Sequence, residues 1–294
     1  LAFGDHQAGR LESAELGYKE ILKQVPAHPD ALNLLGVLCS QKKDFPSAIS
    51  LLLQAVAAKP EFTDAWLNLA KTFSSALRLQ EAAGACDVVL RINPLHAEAL
   101  ATQARTLRKL KQYAAALTSA RALLAIKPDS LEMGRLEAAC LVELREYDEA
   151  LNCFERWLVR TPRDQALSND YAMLLVRLDR KPEAIQILES LVGLPEPFLP
   201  ACSNLGNVLY DQGEHDRAMD LHRIVVSKNP KLYAGWINYA NILQKQENLA
   251  DARDALQKAV DFPQKYLLYA SLFQPKLVKL LFPKDYIECV IEVL

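Results

Sequence analysis

The sequence predicts an all-α fold, a solenoid of about eight 34-residue helix-turn-helix units closed by a C-terminal helical cap. Three observations predict it. A step of 34 residues through Gly36 meets Ala2, Gly36, Ala70, Ala104, Ala138, Ala172, Gly206 and Ala240, all small. The same step through Ala48 meets alanine at all eight positions from Ala14 to Ala252. The step through Pro60 meets Pro26, Pro94, Pro128, Pro162 and Pro230, and its two misses, Glu196 and Gln264, lie beside Pro195, Pro197 and Pro263. Self-similarity at a fixed period of this length is the mark of a repeat architecture.

The spacing inside one unit gives its two helices. Leu32, Leu35, Gly36 and Cys39 fall at i, i+3, i+4 and i+7, one stripe of a helix. Ala48, Leu52 and Ala55 form a second stripe. Between them the polar run QKKDFP is a turn with proline in the first turn of the next helix, and Pro60 ends the pair. Small residues belong where helix axes approach closely. One such pair cannot bury its own apolar face, so stacked neighbours must cover it.

The units fall near residues 1–28, 29–62, 63–96, 97–130, 131–164, 165–198, 199–232 and 233–266. The fourth places Gln103 where a leucine is usual, and the fifth places Gly134 and Glu137 where tryptophan and leucine are expected. Those two units are expected to be locally weaker or to have shifted first helices. The sixth ends in VGLPEPFLP, a stiff turn that keeps the period and is a candidate bend between two subarrays. Residues 267–294 break the pattern, with Tyr286 at the alanine position and large apolar residues throughout. They read as capping helices, as a link to a following domain, or as a self-association surface.

The residues also carry a family resemblance. Trp66, Leu69, Ala70, Phe73, Ala82 and Pro94 resemble the tetratricopeptide pattern, and Ala201–Pro230 fits as well. The resemblance implies a right-handed superhelix whose first helices line a concave groove, and a role as a binding platform. The asparagines Asn68, Asn204 and Asn238, two residues before the small position, are similar to part of the asparagine ladder in O-linked N-acetylglucosamine transferases. Leu34, Thr102, Leu136 and Asp170 interrupt that ladder.

Composition narrows the function classes. A formal net charge of −2 argues against a general nucleic-acid or membrane-surface binder. No apolar run is long enough for a spanning helix and no signal peptide is visible. Six cysteines include no C-x-x-C pair, and Cys39, Cys86 and Cys202 stand at repeat positions that are apolar in sister units. They read as buried hydrophobes in a reducing compartment, so a cytoplasmic location is expected. The chain lacks an initiator Met, opens at Leu1 within a helical pattern and ends in IECVIEVL, so a piece of a longer protein is expected.

No catalytic motif is present, and no cofactor or metal is expected. His96-Ala97-Glu98 spells H-x-E, but its P-C-x-x-C partner is absent, and His28 stands in the same turn position two repeats earlier. What remains is the groove. The resemblance places Asn33, Asn68 and Lys71 on it early in the chain. Arg105, Arg108, Lys109 and Arg135 follow in the middle, and Asn169, Asp170, Asn204, Asn207, Asn238, Asn241 and Gln244 come late. Asparagine is a poor residue for a helix interior, so its recurrence on one face asks for a reason. Amides can donate to and accept from any extended peptide backbone, and arginines can fork onto carboxylates. The expected function is a non-catalytic scaffold holding an extended peptide, with acidic residues, or a helical partner. The alternative is the substrate-recruiting region of a larger glycosyltransferase-type enzyme.

Overall fold

The computed structural model describes residues 2–260, which form sixteen α-helices and the turns between them. The expected cap, link or self-association surface at 267–294 lies outside the described residues. The described residues divide into two compact units, one ending at 160 and the other beginning at 161.

The first unit opens with α1 (Ala2–Gln7) and α2 (Leu11–Gln24). Four pairs follow: α3 (Pro29–Gln41) with α4 (Phe45–Ala58), α5 (Thr63–Ser75) with α6 (Leu79–Ile92), α7 (Ala97–Lys109) with α8 (Tyr113–Ile126), and α9 (Leu131–Glu143) with α10 (Tyr147–Arg160). The second unit holds α11 (Gln165–Arg177) with α12 (Lys181–Val192), α13 (Leu199–Asp211) with α14 (His215–Lys228), and α15 (Tyr233–Lys245) with α16 (Leu249–Val260). Within each unit every second helix packs on its own first helix and on the first helix of the next pair, and successive first helices also touch. That order is a stacked helix-turn-helix solenoid.

Burial follows the repeat. All eight periodic alanines, from Ala14 to Ala252, are 0% exposed. At Gly36 an added Cβ would stand 2.8 Å from Leu52 Cγ, so the glycine lets two helices meet closely. Each pair turns through one residue with positive φ: Gly9, Lys43, Leu77, Lys111, Arg145, Asp179, Gly213 and Glu247, spaced 34 apart. The next N–H then reaches back to the helix, as from Asp44 to Cys39 O at 2.9 Å and from Glu214 to Leu209 O at 2.9 Å, which satisfies an otherwise orphaned carbonyl.

The two irregular units keep their register. α7 and α9 begin 34 residues apart with 13 residues each, so neither first helix has shifted. The indole of Trp157, on α10, lies 2.0–2.4 Å from where a Cβ on Gly134 would stand. A tryptophan from the second helix therefore fills the space that the first helix leaves. Glu137 is 5% exposed, and its two oxygens accept from Arg121 Nε and Arg156 at 2.9 Å each. Gln103 is likewise supplied with polar partners, Asp87 and Ser119. The proline run at 192–200 is not where the compact units divide. It joins α12 to α13 inside the second unit, and those helices pack together.

Candidate functional site

The expected groove residues sort into three groups. The first comprises asparagines bonded to one another. Asn33 on α3 is 6% exposed, and its Oδ1 accepts from Nδ2 of Asn68 on α5 at 2.9 Å. Asn169 on α11 is 7% exposed and accepts from Asn204 on α13 at 2.8 Å. Both pairs are 35 residues apart, because the acceptor stands three residues before the small position and the donor two before it in the next unit. A buried amide is costly unless bonded, so each pair satisfies its own buried member across two neighbouring first helices. This supplies part of the reason for asparagine on that face.

The second group is basic. Lys71 meets Glu98 at 2.5 Å and Arg105 meets Glu132 at 2.8 Å. These are the same rung in successive units, a residue after the small position reaching the first turn of the next first helix. All four side chains are at least two-fifths exposed, so each pair contributes on the order of 0–1 kcal/mol and can be exchanged for a partner's carboxylate. Arg108 and Lys109, at the end of α7, are exposed and in no ion pair among the described residues. Arg135 is half-buried on α9.

The third group is the amide set of the second unit. Asn207 on α13 and Asn238 and Asn241 on α15 line one groove of about 300 Å³, with Tyr210, Asp211, Ile242 and Lys245. The Lys245 ammonium lies 4.5 Å from the centre of the Tyr210 ring. The Asn207 and Asn238 side chains make no hydrogen bond among the described residues, and Asn241 Oδ1 is buried without a partner there. Asp170 is exposed on α11, and Gln244 is half-buried on α15 outside the groove lining. Tyr210, Asp211 and Lys245 are absent from the sequence-based set. Tyr210 follows Gly206 by four residues, a helical spacing that could have found it.

Two further sequence features resolve into structural roles. His96 Nδ1 accepts from Ala99 N at 3.2 Å and His28 Nδ1 from Ala31 N at 3.3 Å, so both cap helix N-termini. No group of residues arranged to hold a metal ion occurs among the described residues. The five described cysteines are free thiols, and burial pushes Cys86 and Cys153 up to about 12, far from the thiolate form that reacts. No helix among the described residues is long and apolar enough to cross a membrane.

Known proteins bear on the fold. A crystallised tetratricopeptide repeat protein from Parabacteroides merdae superimposes with a TM-score of 0.63 at 19% identity, covering 88% of this chain and 96% of its own. Yeast Tom70 gives a TM-score of 0.65 at 13% identity over 96% of this chain, which spans 59% of the Tom70 chain. MamA from Desulfovibrio magneticus gives 0.53 at 17% identity over 55% of this chain and 92% of its own. At these identities the likeness is one of fold. Among curated proteins no sequence matches. A tetratricopeptide-repeat family model matches residues 7–61, 41–95, 136–196 and 203–266, which together make up more than half of the sequence. The chain belongs to the tetratricopeptide-repeat family.

Proposed function

We propose that this chain is a non-catalytic protein-interaction scaffold whose first helices hold an extended segment of a partner protein. The observation that carries this is the groove between α13 and α15. Three asparagines there have hydrogen-bonding capacity that the fold does not use, and one carbonyl oxygen, Asn241 Oδ1, is already stripped of water without a partner. The amides of Asn207 and Asn238 are the more accessible members of the set and can meet a ligand's backbone directly. Neighbouring amides can then accept and donate along the same backbone whatever its side chains. In the first unit, Arg108 and Lys109 are exposed and in no ion pair among the described residues, and Lys71 and Arg105 have exposed, exchangeable ion pairs. This favours acidic residues in the segment bound there.

The test is a pull-down from lysate with the 294-residue chain, identified by mass spectrometry and repeated with two variants. Asn238→Ala with Asn241→Ala removes the amide groove. Arg105→Glu with Arg108→Glu reverses the basic face. A partner lost with either variant locates the binding face. Partners that survive both variants would overturn the assignment to the first helices.

A further inference from the structure

A cleft lies on the side of the first unit formed by second helices. It encloses about 540 Å³ between α6 and α8, with Gln103 and Leu107 of α7 at its base. Its walls are thin. Ala83 and Ala115 contribute only methyl groups, and a Cβ added at Gly84 would meet nothing within 4 Å. At its base runs a chain of hydrogen bonds. Ser119 Oγ donates to Gln103 Oε1 at 2.7 Å, and Gln103 Nε2 donates to Asp87 Oδ1 at 2.6 Å.

Comparison between repeats shows how unusual this hydrogen-bonded chain is. One period earlier the same three positions are Leu53, Leu69 and Ala85, all apolar. Three positions on three helices have changed character together. Stability does not require the change, since Leu69 is 0% exposed in a well-packed core cluster. Its effect is to anchor one oxygen of Asp87 with a neutral donor and leave the other unclaimed. Asp87 makes no ion pair among the described residues and is the one charged residue lining the cleft. One period later the same position is Arg121, bound by both Glu137 and Glu149.

We propose that this cleft is a second binding site, which takes an arginine side chain of a partner protein. The unpaired, pre-oriented carboxylate supplies the complementary charge. A guanidinium is planar and weakly hydrated, so it can pass Ala83, Gly84 and Ala115 between the polar side chains of the lining and donate to Asp87 Oδ2. An ammonium carries the same charge but is a compact, strongly hydrated point that gives up its water less readily. The site does not depend on the amide groove.

The test is an NMR titration of the full chain with N-acetyl-arginine amide, with the citrulline and lysine analogues as controls. The signal followed is the Gln103 side-chain NH2, identified by its loss in Gln103→Leu. A saturable shift is expected with the arginine derivative. Binding of neutral citrulline should be at least about tenfold weaker, because the charge-assisted bond is missing. Asp87→Asn, an isosteric change at an exposed residue, should remove saturation while the helical circular dichroism stays intact. No saturable shift, an equal response to citrulline, or an unchanged response in Asp87→Asn would overturn the site. Lysine binding as tightly as arginine would overturn the guanidinium assignment.

Discussion

His222 is a histidine in a leucine's place. Its repeat position is Leu52 in the second pair and Leu188 and Leu256 on either side of it, all 0% exposed. His222 is also 0% exposed, neither ring nitrogen has a hydrogen-bond partner, and Nε2 lies 2.6 Å from where a Cβ on Gly206 would stand. Burial alone lowers its pKa from 6.5 to about 4. The folded state disfavours the imidazolium, so between pH 6.5 and 4 the unfolded chain binds more protons and stability falls as the pH falls. Inside that window each pH step of one changes stability by about 1.36 kcal/mol, so acidification from pH 7.5 to 5 should cost roughly 2 kcal/mol through this one group. His222→Leu removes the effect. It also removes two orphaned ring nitrogens, so the variant should be about 1–3 kcal/mol more stable at neutral pH. The Gly36–Leu52 contact shows that leucine fits against glycine at this place in the repeat. The assay is urea unfolding of wild type and variant by circular dichroism at pH 7.5 and 5. Taking the difference between the two proteins cancels the titration of every shared group. A stability difference that stays constant across that range would refute the reasoning.

The remaining predictions concern the turns and the irregular unit. Leu77 holds φ 60° and is 76% exposed, so Leu77→Gly loses little packing and relieves left-handed strain that Gly9 and Gly213 avoid. A gain of about 0.5–1 kcal/mol in thermal unfolding is expected, and no gain would mean that the turn is not strained. Gly134→Ala drives a methyl group into the Trp157 indole and should cost about 1–3 kcal/mol by overpacking. In a Trp157→Leu background the same substitution should cost less, and an equal cost in both backgrounds would contradict the contact.

Much of the fold was legible in the sequence, for a physical reason. The alanine register is set by how closely two helices approach, a steric constraint that repeats wherever the pair repeats. The sequence therefore located Ala14 to Ala252, and all of them are fully buried. The turn residue was harder to see. Gly9 and Gly213 are six periods apart, and between them the same left-handed position is filled by lysine, leucine, arginine and aspartate. Backbone hydrogen bonds from the following residue hold that conformation whatever the side chain, so residue type alone did not mark it.

The candidate sites were legible only in part, because periodicity gives a residue's face and not its partner. Asn33 and Asn68 read alike in sequence as groove residues, yet Asn68 donates to the buried Asn33 across adjacent helices. Lys71 and Arg105 read as open charge, yet both meet a glutamate 27 residues on. The departures from pattern carried more information than the pattern. Gln103, Gly134 and Glu137 break the repeat at positions where leucine or tryptophan is usual, and each is answered by a change on a neighbouring helix. Trp157 answers Gly134, Arg121 and Arg156 answer Glu137, and Asp87 and Ser119 answer Gln103. The first two answers are complete: the indole fills the gap, and the buried carboxylate has a cation on each oxygen. The third is not, since Asp87 arrives with a charge that nothing in the described chain neutralises. A repeat protein can satisfy an irregular core position with neutral groups. Asp87 is exposed and hydrated, so its charge costs the fold little, and it is this spare charge that the proposed arginine ligand would use.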